Sequence, residues 1–121
     1  MQPDQLLQTH LERLRAGDAD AIAELYHDDA ELVSFDFDAR GREDIRQHYE
    51  QFLGYHGQIA RAEPKHQRAT EDALFVLFEL ESTPGRFQLV NVFLLEGGKI
   101  RRHFSNVTEL ELKREEVERE V

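Results

Sequence analysis

Between Ala73 and Leu112 runs rich in aliphatic and aromatic residues are separated by two turn sequences, Ser82-Thr83-Pro84-Gly85 and Glu96-Gly97-Gly98. Short runs of this composition bounded by turn signals mark extended chain, and turns of this kind reverse it. Three strands are thereby predicted: Ala73 to Glu81, Arg86 to Leu95 and Lys99 to Leu112. Gln58 to Thr70 is polar with weaker alternation and adds a fourth, which Pro64 confines to a sheet edge or a bulge. The second half of the chain is therefore an antiparallel meander. Its strands carry apolar residues at both parities, Leu74, Val76, Phe78 and Leu80 on one side against Phe75 and Leu77 on the other. Both faces then require cover. Helices supply one side, and a second copy of the chain is expected on the other, giving a homodimer through the sheet face.

The first half supplies the helices. Leu7, Leu11 and Leu14 form one stripe at helical spacing, with His10 on it, so residues 3–16 are expected to be helical. Gly17 stops this helix and Asp18 caps the next, which is expected to run to about Tyr26. Residues 30–37 read as a strand, with Val33, Phe35 and Phe37 opposite Leu32, Ser34 and Asp36. A turn at Asp38-Ala39-Arg40-Gly41 leads to a third helix, ending near Leu53, with Ile45, Tyr49 and Phe52 inward. Helices followed by a meander make an α+β pattern.

At 121 residues the chain is one domain, expected over residues 1–112, with a charged tail at 113–121 expected to fray or be disordered. It has no cysteine, which excludes disulfides, thiol nucleophiles and thiolate metal sites. The formal charge of −10 disfavours phosphate backbones and anionic membranes, so neither nucleic acid nor membrane is expected as a partner. No apolar run is long enough to span a bilayer, and Met1-Gln2-Pro3-Asp4 lacks a basic, apolar leader, so a cytoplasmic location is expected. The six histidines show no metal-ligand spacing, and no phosphate loop or dinucleotide fingerprint is present; no metal or cofactor is expected.

Four segments in this order carry a resemblance: Gly17-Asp18-Ala19-Asp20-Ala21-Ile22, Leu25-Tyr26-His27-Asp28-Asp29-Ala30, Gly41-Arg42-Glu43-Asp44-Ile45, and the Gly98-Lys99-Ile100 turn before a long last strand. Over residues 3–110 the chain resembles the nuclear transport factor 2-like superfamily, in its SnoaL-like and ketosteroid isomerase-like branch. The resemblance implies a cone-shaped curved antiparallel or mixed β-sheet wrapped by three N-terminal helices, with a site inside the cone. This fold hosts isomerases, cyclases and non-enzymatic binders.

The resemblance also implies positions for chemistry. The family's general-base Asp falls at Ser34, which cannot serve as base unaided. Asp36, two residues on, returns to the same strand face. The family's oxyanion-hole Asp falls at Asn91, whose amide donates without pKa tuning. Its Tyr donor falls at His10, and the His103 face of the last strand lines the cavity. Asp36, Asn91, His10 and His103 are thus the candidate catalytic residues, with Asp36 or His103 as base and Asn91 and His10 polarising an oxygen. Leu14, Tyr26, Ser34, Phe52, Tyr55, Val76, Phe78 and Ser105 are the candidate ligand-binding residues. For the aromatic ones, plain core packing is the competing reading. Two functions remain open. One is binding of a small apolar carbonyl-bearing molecule, steroid-like or polyketide-like, with cofactor-independent proton transfer by an isomerase or cyclase. The other is a non-catalytic ligand-binding or dimerisation module.

Overall fold

The computed structural model describes residues 1–113. Nearly all of the expected charged tail lies outside them. Helix α1 (Pro3–Ala16) places Leu6, Leu7, His10, Leu11 and Leu14 on its buried face. Pro3 begins it, where a missing N–H costs nothing, and Gly17 ends it with φ 70°. Helix α2 (Ala19–Ala23) follows at once, the Asp18 carboxylate accepting from the Ala21 N–H at 3.0 Å.

Strand β1 (Tyr26–Val33) starts and stops four residues earlier than the alternation suggests. Tyr26 is therefore the first residue of a strand and not the last of a helix. The reason is pairing: β1 runs parallel to the last strand, Tyr26 opposite Ile100 and Leu32 opposite His103. The register shifts between Tyr26 and Glu31, so His27-Asp28-Asp29 lies within an irregular strand. Arg42 holds that irregularity, donating to the Tyr26 carbonyl from Nε and Nη2 (3.1 and 2.6 Å) and pairing with Asp28 at 2.8 Å. Residues 34–37 form a loop closed by the Ser34 N–H donating to the Phe37 carbonyl at 2.9 Å. The segment expected to be only a turn contains a short strand, β2 (Asp38–Arg40), antiparallel to β1. Helix α3 (Arg42–His56) continues through Gly54 and ends at Gly57, one turn later than expected.

The meander has the expected order: β3 (Ile59–Ala69), β4 (Ala73–Ser82), β5 (Gly85–Glu96) and β6 (Lys99–Leu112). One six-stranded sheet results, ordered β2-β1-β6-β5-β4-β3, with β1–β6 its parallel pair. Pro64 lies on the edge strand β3, where the register shifts before His66, the accommodation its missing donor demands. The helices cover the concave face. Leu74, Val76, Phe78 and Leu80 of β4 and Phe87, Leu89 and Phe93 of β5 point into it and are buried. Phe75 points the other way and is 57% exposed.

The β4–β5 turn depends on Gly85, whose φ of 154° is one that side chains rarely adopt. A Cβ there would overlap the Glu111 carbonyl of β6. Gly85→Ala is expected to lower the unfolding free energy by more than about 2 kcal/mol, because backbone must move. A urea titration checks this, and a midpoint equal to the parent's contradicts it.

Candidate functional site

The concave face is largely apolar, with a polar group at its centre built by five elements. The α1 stripe carries His10, and α3 places Tyr49 one turn after Ile45. Tyr26 opens β1. Asn91 lies at the inward parity of β5 between Leu89 and Phe93. His103 lies on β6 directly opposite Phe93, so Asn91 and His103 are diagonal neighbours on one sheet face. None of the five is more than 4% exposed.

They form a continuous hydrogen-bonded chain. His10 Nε2 lies 3.2 Å from the Tyr49 hydroxyl, which lies 2.8 Å from the Tyr26 hydroxyl. Tyr26 Oη lies 2.8 Å from His103 Nδ1, and His103 Nε2 lies 2.7 Å from Asn91 Oδ1. Phe93 stacks on the His103 ring at 4.2 Å between centroids, and fixes its plane. Two polar atoms at the ends of the chain are buried without a partner, His10 Nδ1 and Asn91 Nδ2. Such groups are rare, since an unpartnered buried donor or acceptor costs roughly 1–3 kcal/mol.

Burial keeps the group neutral. It lowers His10 to about 4, with help from the Arg13 charge, and lowers His103 well below the usual imidazole range, with His10 and His48 adding to the effect. It raises both phenols, Tyr26 and Tyr49, well above 10. Near neutral pH all four are hydrogen-bonding groups carrying no charge.

His10, Asn91 and His103 line one chamber of about 40 Å³. That space holds a few water-sized groups. The larger rings suggested by the resemblance need roughly 300 Å³ or more, and this chamber does not admit them. Leu14, Ser34, Phe52, Phe78 and Ser105 also line it. Phe37, His48 and Phe52 form part of its wall and part of a wider surface groove of about 510 Å³ beside it. His48 stacks on Phe37 at 4.6 Å, and its burial lowers its pKa.

Four expected site residues are placed elsewhere. Asp36 is exposed in the 34–37 loop, because β1 ends at Val33 and the two-residue alternation stops there. Among the described residues no aspartate or glutamate lines the chamber. Tyr55 is 57% exposed on the outer side of α3. Val76 is fully buried in the core and Tyr26 in the middle of the polar chain, and neither borders the chamber. Tyr49, which does border it, was legible only as an inward helix residue. Its signal was the phenol itself, since a buried hydroxyl needs a partner. Among the described residues no group of three His, Asp or Glu side chains is placed to hold a metal ion, and no helix is long and apolar enough to cross a membrane.

The sequence model of the SnoaL-like domain matches residues 7–103. No curated protein matches the chain. Similar solved structures include a cystatin-fold protein from Novosphingobium aromaticivorans, at 20% identity and TM-score 0.75, covering 88% of this chain and 98% of that one. An NTF-2 like protein from Burkholderia xenovorans has 17% identity and TM-score 0.75, covering 98% and 91%. A SnoaL-like protein from Burkholderia thailandensis has 17% identity and TM-score 0.73, covering 87% and 92%. At these identities the likeness is one of fold.

The neutral histidines make stability depend on pH. His10 and the buried His56, whose Nδ1 lies 2.8 Å from Ser82 Oγ, both have pKa values lowered to about 4. An unfolded histidine titrates near 6.5, so protonation favours the unfolded chain. Their contribution is complete above about pH 6.5 and is lost as pH falls toward 4, at up to about 3 kcal/mol for His10 and less for His56. Urea midpoints measured from pH 7.5 to 4.5 are expected to fall across this window, and to fall less steeply in His10→Phe. Equal slopes for variant and parent contradict the assignment.

Proposed function

The chain belongs to the SnoaL-like domain family, and on that premise we propose that its cone binds a small, mostly apolar, carbonyl-bearing molecule without chemical change. The observation that carries this reading is the Asn91 amide nitrogen, a buried donor with no acceptor among the described residues, on a side chain that lines an otherwise largely apolar chamber. A ligand carbonyl supplies the missing acceptor. The chamber's size limits what enters to the polar head of the ligand, and an apolar body would lie along Phe37, His48 and Phe52 in the adjoining groove.

Binding is favoured over proton transfer by what lines the chamber. A base that moves a proton between carbons works best with a pKa near the working pH. No carboxylate of the described residues borders the chamber, Asp36 is outside it, and burial holds His10 and His103 far below that value.

The probe is 2-pentanone, titrated against the protein by NMR chemical-shift changes. Asn91→Leu is expected to weaken it by about tenfold or more while the variant stays folded, the loss of one hydrogen bond in an apolar site. Equal affinity in parent and variant removes Asn91 from the site. The hydrogens beside the ketone carbonyl are expected to exchange into deuterated solvent no faster with protein than without. Accelerated exchange favours an isomerase-like enzyme instead.

We also propose that the convex face of the sheet pairs with a second copy. Phe75, Leu77, Val90, Val92 and Phe104 lie on three adjacent strands and stay exposed or half-buried, an apolar face with no element of the described residues over it. Light scattering is expected to give twice the chain mass, and Phe75→Glu with Phe104→Glu is expected to halve it. A parent that is monomeric at high concentration contradicts this.

A further inference from the structure

The hydrogen-bonded chain has a direction, and the direction sets what a ligand must offer at each end. Asn91 turns Oδ1 toward His103, and an amide oxygen only accepts. His103 therefore carries its hydrogen on Nε2. Being neutral, it is bare at Nδ1, so Tyr26 must donate to that nitrogen. The Tyr26 oxygen then accepts from Tyr49, and the Tyr49 oxygen accepts from His10 Nε2. His10 is left with a lone pair on Nδ1. Every link follows from the one before it, and each imidazole and phenol has a single hydrogen to give.

The two unpartnered atoms are the ends of this sequence. Asn91 Nδ2 offers hydrogens with no acceptor, and His10 Nδ1 offers a lone pair with no donor. Both residues line the same chamber of about 40 Å³, so a group held there has both residues as neighbours. A ketone satisfies Asn91 and leaves His10 unsatisfied. A carboxylate opposes its own lone pairs to that of His10 and lacks a cation among the chamber's walls. A neutral carbonyl with an N–H or O–H on the same carbon satisfies both.

We propose that the chamber selects a neutral amide-like head, its oxygen accepting from Asn91 Nδ2 and its N–H donating to His10 Nδ1. This rests on the reading of the cone as a binding chamber and adds the class of head group. The selectivity belongs to the pair of ends and not to burial alone, since the apolar walls treat isosteric probes alike.

The test compares butyramide with its isostere 2-pentanone in the parent, in His10→Phe and in Asn91→Leu. Comparison across variants cancels the different costs of taking the two probes out of water. Butyramide is expected to lose about tenfold in affinity in each variant, because each removes one of its two bonds. The ketone is expected to lose about tenfold in Asn91→Leu and to change less than about twofold in His10→Phe. Butyramide binding that ignores His10, or ketone binding that depends on His10 instead of Asn91, overturns the proposal while leaving a binding chamber in place. Failure of both probes to bind the parent overturns the chamber reading and this proposal with it. Circular dichroism on each variant, together with His10→Gln as a second substitution, separates loss of a bond from loss of the fold.

Discussion

A curved sheet with one buried face has a hollow to fill, and in this protein the centre of the fill is polar. The chain of hydrogen bonds from His10 to Asn91 runs through the elements in spatial order. His10 to Tyr49 joins α1 to α3, Tyr49 to Tyr26 joins α3 to β1, Tyr26 to His103 joins β1 to β6, and His103 to Asn91 joins β6 to β5. Each bond therefore spans two elements, and none is local in sequence. Buried polar networks specify a packing only if they are nearly complete, because each missing partner leaves a desolvated group behind. Here the interior bonds are all made and the two open positions are at the ends. The fold and the site are built from the same contacts.

That construction governs the chemistry available. Five polar side chains deep in an apolar hollow hold no net charge, since burial lowers the imidazoles and raises the phenols. Neutral imidazoles and an amide are good at fixing and polarising an oxygen. They are poor at accepting a proton from carbon near pH 7. The resemblance to the ketosteroid isomerase-like pattern implies the same direction. By that resemblance Ser34 falls where the pattern has its base, Asn91 where it has a protonated acid, and His10 where it has a phenol. The phenols here come from β1 and α3 instead.

Much of the architecture was legible because it depends on local signals. The two turns of the meander, the Gly17–Asp18 helix junction and the edge placement of Pro64 follow from backbone preferences of Gly, Pro and Asp at single positions. The limits of β1 were not legible, because a long-range parallel pairing with β6 sets them, and alternation between residues 30 and 37 continued past the point where pairing stopped. That error alone moved Asp36 from the expected cavity to an exposed loop and Tyr26 from a helix into the polar chain. His10 and Asn91 were legible as polar residues among apolar ones, and the resemblance placed the His103 face in the cavity. Their mutual bonds were not legible, since those cross elements whose spacing no sequence signal reports. Nor was the chamber's volume, which depends on how side chains from α1, α3 and the sheet interdigitate.

The central claim is that the interior chain is neutral and runs in one direction. Nitrogen-15 NMR of the imidazole rings at pH 7 reads both properties at once, because a protonated ring nitrogen and a bare one differ widely in shift. The account predicts that His10 and His103 are both neutral, each protonated on Nε2 and bare on Nδ1. An imidazolium at either position, or a ring protonated on Nδ1 in place of Nε2, contradicts it.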